Sequence, residues 1–210
     1  GLTYHPGTGF LESEAGRFLI CDYRGASAGS GIYSFSVAPE GAGMKLVDSR
    51  EFNWGVAATD VEYSYDGKLV VADYMGGWTS HEDGRIYSLD AGKNTYKAAE
   101  AAESAKLHAA GFDKLSTSEL QALLAHPDMR VRLRAQIELT RSAAGFALLQ
   151  QGLQSKNPLE RLHSIWGVGI VARRGIAARP SADGFANIPD TTQVKIAVKL
   201  LTDLLKDADA

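Results

Sequence analysis

Seven side chains in the first part of the chain are of types that could hold a ligand: Asp22, Arg24, Trp54, Asp60, Asp73, Tyr74 and Trp78. Arg24 follows the apolar run Phe18–Cys21 and opens the Gly-rich loop RGASAGSG. A guanidinium there could face a binding channel and hold an anionic ligand, because its planar fork meets carboxylate or carbonyl oxygens bidentately. The plainer role is a structural arginine bridging to Asp22 or Asp73. Asp22, Asp60 and Asp73 could supply oxygens to a Ca²⁺ ion, which needs several. Aspartates between strands more commonly accept backbone N–H groups in turns. Trp54, Trp78 and Tyr74 could stack on a sugar ring, although aromatic residues at this density also fill a β core. Trp78, in Tyr74-Met-Gly-Gly-Trp-Thr-Ser, is the best exposed candidate.

Other chemistries are excluded. The five histidines show no metal-ligand spacing, so no metal site is expected; His126 reads as a helix-boundary residue and His163 as a helix-surface one. Gly7-Thr8-Gly9 and Gly29-Ser30-Gly31 are turns, since neither precedes a helix nor carries a P-loop lysine. No Ser-His-Asp or Cys-His arrangement is legible, and no catalytic residue is assigned. The single cysteine, Cys21, rules out a disulfide framework and a multi-cysteine zinc site. A net charge of −3 argues against nucleic acid as a partner. Arg130, Arg132 and Arg134 form a local basic strip, but only Arg130 and Arg134 share a helix face. They suit solvent, an intramolecular salt bridge or an acidic protein partner. The longest apolar stretch, Ile165–Ala172, is far too short to span a membrane.

The elements that must position these residues fall into two unlike halves of a 210-residue chain. Residues 1–96 hold 14 of the 18 aromatic residues and carry 7 basic and 13 acidic groups, whereas the remainder carries 15 and 12. Glycine and aromatic residues with frequent turn signals read as β; Ala, Leu and Arg read as helix. The expected organisation is therefore a β domain over 1–96, a linker over 97–104 and a helical domain over 105–210.

In the β half, strands are expected at Arg17–Asp22, Gly31–Val37, Met44–Asp48, Thr59–Ser64, Lys68–Ala72 and Arg85–Leu89, with a hairpin turn at Asp66-Gly67. A meander, sandwich or propeller would satisfy that spacing. Two stretches look alike: Arg17-Phe-Leu-Ile-Cys-Asp-Tyr then Gly31-Ile-Tyr-Ser-Phe, and Lys68-Leu-Val-Val-Ala-Asp-Tyr then Gly84-Arg-Ile-Tyr-Ser-Leu. Their Asp-Tyr pairs stand 51 positions apart, a period that propeller blades show. About two blades are present where typical propellers need four to eight. The missing blades would come from elsewhere, and self-association or disorder over residues 1–50 is expected unless a partner covers the open edges.

The helical half repeats too. Leu120, Leu123 and Leu124 mark one helix face; after His126-Pro127 a second segment carries Val131, Ala135 and Leu139. A second copy follows at an offset of 31, from Asn157-Pro158, and a third begins at Leu204–Asp209. Paired-helix repeats of this kind need neighbours to cover their apolar faces. Residues Ala172–Thr192 break the period and look like a surface insertion. Both ends thus look cut from something larger.

The block from GLTYHPGTGF through CDYRG…SGIYSF and TDVEYSYDG to GRIY, followed by HPDMRVRLRAQ, resembles a planctomycete and verrucomicrobial membrane-bound dehydrogenase family. The resemblance covers nearly the whole chain. It implies the last blades of a β-propeller followed by an α-helical HEAT-like solenoid of the phycobilisome-lyase type. The family often adds a haem-binding domain, which here would lie outside the chain, because Cys-x-x-Cys-His is absent. The propeller is also distantly similar to quinoprotein glucose and sorbosone dehydrogenases. That likeness implies pyrroloquinoline quinone and Ca²⁺ in the full protein, with Arg24 beside the quinone. Where the glucose enzymes carry Arg-x-Arg-Asp-Val, this chain has Ala57-Ala58-Thr59-Asp60-Val61. The implied function is sugar or alcohol oxidation with electrons passed to haem, in the periplasm or at the cell surface. The alternative is a non-catalytic scaffold for a protein or polysaccharide partner.

Overall fold

A computed structural model describes residues 1–75, 83–176 and 191–205. The architecture is mixed β and α, in two compact units, Gly1–Ala109 and Ala110–Ala210.

The first unit holds two antiparallel sheets. One has four strands in sequence order: β1 (Leu2–Tyr4), β2 (Phe18–Asp22), β3 (Gly31–Glu40) and β4 (Gly43–Trp54). The other has three: β5 (Ala58–Tyr63), β6 (Leu69–Asp73) and β7 (Arg85–Leu89). Each expected strand is present. β4 runs to Trp54 rather than Asp48, because its ladder with β3 continues through two register shifts to the pair Gly31–Trp54. Leu19 and Ile32 of the first sheet and Val61, Tyr63, Leu69 and Val71 of the second form one buried cluster with Phe10. Phe10 reaches it because Gly9 and Gly67 pass almost in contact: a Cβ on Gly9 would lie 2.6 Å from Gly67 Cα. The Phe10 N–H donates to the Gly67 carbonyl at 2.6 Å across that approach.

The internal repeat is visible in the hydrogen-bond register. Ile20 pairs with Tyr33 and with Leu2; its counterpart 51 positions on, Val71, pairs with Tyr87 and with Val61. Phe18, flanked by Tyr4 and Phe35, corresponds in the same way to Leu69, flanked by Tyr63 and Leu89. The two stretches that look alike in sequence are thus the same three-stranded unit built twice.

A buried ionic network braces the first sheet. Glu14 is 2% exposed and accepts from Ser34 Oγ at 2.6 Å and from Arg50 Nη2 at 2.5 Å. Arg17 donates to Ser34 Oγ and to Asp48 Oδ2, each at 2.7 Å. His5 closes a neighbouring turn, its Nδ1 accepting the Gly7 N–H and its Nε2 lying 3.1 Å from the Gly9 carbonyl. Residues 97–104, expected as a linker, are largely the first turns of α1 (Ala98–Ala110). Their alanines are strong helix formers. Ala101 and Ser104 are buried, and His108 stacks on Tyr65 at 3.8 Å.

The second unit is helical: α2 (Thr117–Leu123), α3 (Met129–Leu139), α4 (Ala143–Gly152), α5 (Pro158–Ile176) and α6 (Thr191–Leu204). Ser116, Asp128 and Ser142 cap three of these helices, and Asn157 Oδ1 accepts from the first turn of α5. The repeat expected here at an offset of 31 has a structural offset of 29. The buried residues Leu120, Leu124, Ala135 and Leu139 then correspond to Leu149, Leu153, Ser164 and Val168, all buried. The offset of 31 would instead match buried Ala135 to Trp166, which is half exposed. The two prolines misalign the copies: Pro127 precedes the cap residue Asp128, whereas Pro158 follows the cap residue Asn157. A proline suits either place, since neither has an N–H the helix needs. Leu204 ends α6 as Leu123 ends α2. The rest of the third copy, 206–209, and most of the expected insertion lie outside the described residues.

His163, expected on a helix surface, is buried at 4% exposure. No helix among the described residues is long and apolar enough to cross a membrane.

Candidate functional site

The two repeats meet at the ends of β2 and β6. Asp22 and Asp73 close those strands, and the tyrosines after them, Tyr23 and Tyr74, pack edge to face at 5.8 Å. Asp73 is 7% exposed, and its Oδ1 accepts the Met75 N–H at 2.9 Å. That turn carries Met75 at φ 69, a left-handed conformation costing a non-glycine residue roughly 1 kcal/mol. The Met75 carbonyl in turn accepts Ser27 Oγ of the preceding repeat's loop at 3.2 Å.

Beside this junction opens a cleft of about 380 Å³, lined among others by Ser27, Asn53, Trp54, Asp73, Arg85 and Tyr87. Trp54 can lie here because its cross-strand partner is Gly31, where a Cβ would stand 2.3 Å from the indole. Tyr33 braces the ring edge-on at 5.2 Å, and the Arg24 guanidinium lies 5.6 Å from the ring centroid. Arg85 is the cross-strand partner of Asp73 and donates from Nη1 to the Tyr87 hydroxyl at 3.2 Å. The cleft therefore combines an aromatic plate, a carboxylate, a guanidinium, an amide and two hydroxyls. Such a set fixes a polar ring by stacking and by several hydrogen bonds.

The candidates from sequence do not all converge. Asp73 lines the cleft. Arg24 stands beside it on Trp54 but is held by Asp22, which accepts from Nε at 2.9 Å and from Nη2 at 2.5 Å. That bond raises the Arg24 pKa still further, and the structural bridging role is the one observed. Asp60 sits apart, 73% exposed, with its Oδ1 on the Val61 N–H and 4.0 Å from the Gly1 amino group. Trp78 lies outside the described residues. Asp22, Asp60 and Asp73 thus do not form a Ca²⁺ ligand set, and no group of three His, Cys, Asp or Glu among the described residues could hold a metal.

Arg85, Tyr87, Ser27 and Asn53 were not singled out in the sequence. Arg85 left a trace in the repeat, standing between Gly84 and the shared Ile-Tyr-Ser where the first copy passes straight from Gly31 to Ile32. Arg130, Arg132 and Arg134 all have partners within their own unit: Asp128, the His126 and Pro127 carbonyls, and the Phe112 ring. No family model, curated protein or solved structure matches this chain.

Proposed function

We propose that the first unit is a pair of adjacent blades from a propeller-type, dehydrogenase-like protein, and that its cleft binds a sugar or another polyhydroxylated ring. The cleft of Trp54, Asp73 and Arg85 at the junction of the two repeats carries this reading. An indole face accepts the C–H side of a sugar, while Asp73, Asn53 and Arg85 satisfy hydroxyls in a partly dry site. In this reading the second unit is a HEAT-like solenoid. Sugar or alcohol oxidation with pyrroloquinoline quinone and Ca²⁺ belongs to the complete ring, and electrons leave to a haem domain outside this chain, in the periplasm or at the cell surface. Among the described residues the carboxylates do not fit the Ca²⁺ role, so no step is assigned to them.

The second reading is a non-catalytic scaffold for a polysaccharide or protein. Asp22 favours it by occupying the Arg24 guanidinium, as does the scatter of the three aspartates.

Calorimetric titration with aldoses, sugar alcohols and short oligosaccharides tests the cleft. Binding should weaken at least about tenfold in Trp54→Ala and in Arg85→Ala, the loss of one good stacking or charged contact. If no sugar binds, or if both variants bind as the wild type does, the cleft assignment fails. Sugar binding without dye reduction after addition of quinone and Ca²⁺ would favour the scaffold.

A further inference from the structure

The two helical copies repeat an outward apolar pattern as well as a buried one. At the offset of 29, Leu133 of α3 corresponds to Leu162 of α5, and Ile137 corresponds to Trp166. Leu133 is 46% exposed, Leu162 40% and Trp166 50%, while Ile137 is half-buried. The core does not account for these side chains, because its positions are filled by Ala135 and Leu139 in one copy and by Ser164 and Val168 in the other. Single exposed apolar residues are ordinary, but the same two positions apolar in both copies make a patch.

The patch crosses from one helix to the next. His163 of α5 packs on Arg132 and Gln136 of α3, and Trp166 lies edge-on to the His163 ring at 5.1 Å. The other sides of both helices are occupied: α3 packs on α2, α4 and α5, and α5 on α3, α4 and α6. The face is thus open although each of its helices has neighbours before and after it. Its rim carries one sign of charge. Arg130 and Arg134 flank Leu133 and Ile137 at i, i+3 spacing, and the exposed Arg173 continues the line of Leu162 and Trp166 along α5. Arg134 rests on the Phe112 ring, 6.0 Å from its centroid. The acidic residues of the two helices are spent elsewhere. Glu138 is buried and paired with Arg141, and Glu160 accepts from Ser155 and Gln121.

We propose that this face of α3 and α5 docks an acidic amphipathic segment of another protein, its apolar side chains on Leu133, Leu162 and Trp166 and its carboxylates on Arg134 and Arg173. The leucines and the indole lose water on contact, and the arginines at the rim set orientation and speed of encounter. A nucleic acid fits less well: its phosphates would meet an aliphatic centre, and residues 97–210 carry 15 basic groups against 12 acidic. None of these residues belongs to the cleft of the first unit, so this docking and sugar binding can each fail alone.

The experiment is fluorescence anisotropy of a labelled helical peptide with Leu at i, i+3 and i+7 and Glu at its other positions, titrated with the intact chain. The same peptide with Lys for Glu is the comparison. The acidic peptide should bind, and the basic one at least about tenfold more weakly. Binding should fall at least about tenfold in Trp166→Ala and in Leu162→Ser, with circular dichroism to confirm folding. Reversing the rim with Arg134→Glu plus Arg173→Glu should hand the preference to the Lys peptide, a result that unfolding could not produce. Equal binding of the two peptides, or binding that survives both patch variants, would overturn the proposal. No binding of the acidic peptide overturns it too, whether the face then takes phosphatidylserine vesicles, duplex DNA or nothing. Self-association of the chain that is lost in Trp166→Ala would give the face to a second copy and overturn it equally.

Discussion

Arg132 donates from Nε to the Nε2 of His163 at 3.1 Å, and the Nδ1 of the same ring lies 2.7 Å from Gln136 Oε1. The ring is therefore a neutral Nδ1–H tautomer, accepting from a permanent cation and donating to an amide. Burial, and then the Arg132 charge, push its pKa down to about 4. The unfolded chain takes up a proton near pH 6.5 and the folded chain does not, so this contribution to stability is complete above that pH. It is lost as the pH falls toward 4, amounting to roughly 2–3 kcal/mol. Denaturant unfolding of the second unit at pH 7 and pH 4 should show this loss in wild type and a smaller one in His163→Gln. Equal losses in the two proteins would remove His163 from the acid response.

Arg132 and Arg161 are repeat equivalents near the starts of α3 and α5, and both reach back to carbonyls that end the preceding helical segment. Arg132 bonds the His126 and Pro127 carbonyls as well as His163; Arg161 bonds the Leu153 carbonyl. Arg132→Ala should cost about 2–3 kcal/mol, because the His126 and Pro127 carbonyls and the His163 ring all lose a charged donor. Thermal unfolding of the variant checks this, and a loss below about 1 kcal/mol would contradict it.

Two glycines in the helices should respond oppositely to alanine. A Cβ on Gly152 would lie 2.1 Å from Ser164 Oγ, whereas one on Gly169 meets nothing within 4 Å. Gly152→Ala should destabilise by about 1–3 kcal/mol, and Ser164→Ala should recover part of that, because the oxygen in the way is gone. Gly169→Ala should stabilise by roughly 0.5–1 kcal/mol through helix propensity alone. Equilibrium unfolding of the three single variants and the double variant tests all of this; no coupling between 152 and 164 would disprove the contact.

In the first unit, Glu14→Ala leaves Arg50 and Ser34 facing a buried gap. The substitution should cost about 1–3 kcal/mol on thermal unfolding, because Ser34 Oγ loses its acceptor inside the sheet while Arg50, 43% exposed, can turn to water. A substitution costing no more than an exposed salt bridge would mean that water enters to replace the carboxylate.

The strand ends were legible where turn residues bracket them: β7 begins after Gly84 and ends before Asp90, and its expected and observed limits coincide. The extension of β4 was not, because Arg50 and Glu51 give its second half no apolar alternation to read. The helical offset failed by two residues for a local reason, the different places of Pro127 and Pro158 around their caps. Asp73 could be found from the repeat. Trp54 could be found as a possible sugar-stacking aromatic, but that it shares a cleft with Asp73 could not, since it lies there only through the pairing with Gly31, a consequence of hairpin register rather than of spacing. His163 was expected on a helix surface, and neither offset predicts its burial, since its counterpart at 29 is the exposed Arg134; it is buried because its ring packs on Arg132 and Gln136 of α3.

Cys21 lies on β2 against the shared core of the two sheets, half-buried, with its thiol pushed up by that burial. As the chain's only sulfhydryl it is a built-in clock. Thiolate is the reactive form, so exchange with an aromatic disulfide is slow while the sheets stay closed and fast when they part. The labelling rate of this one atom would time the breathing of the β unit with no probe added to the sequence.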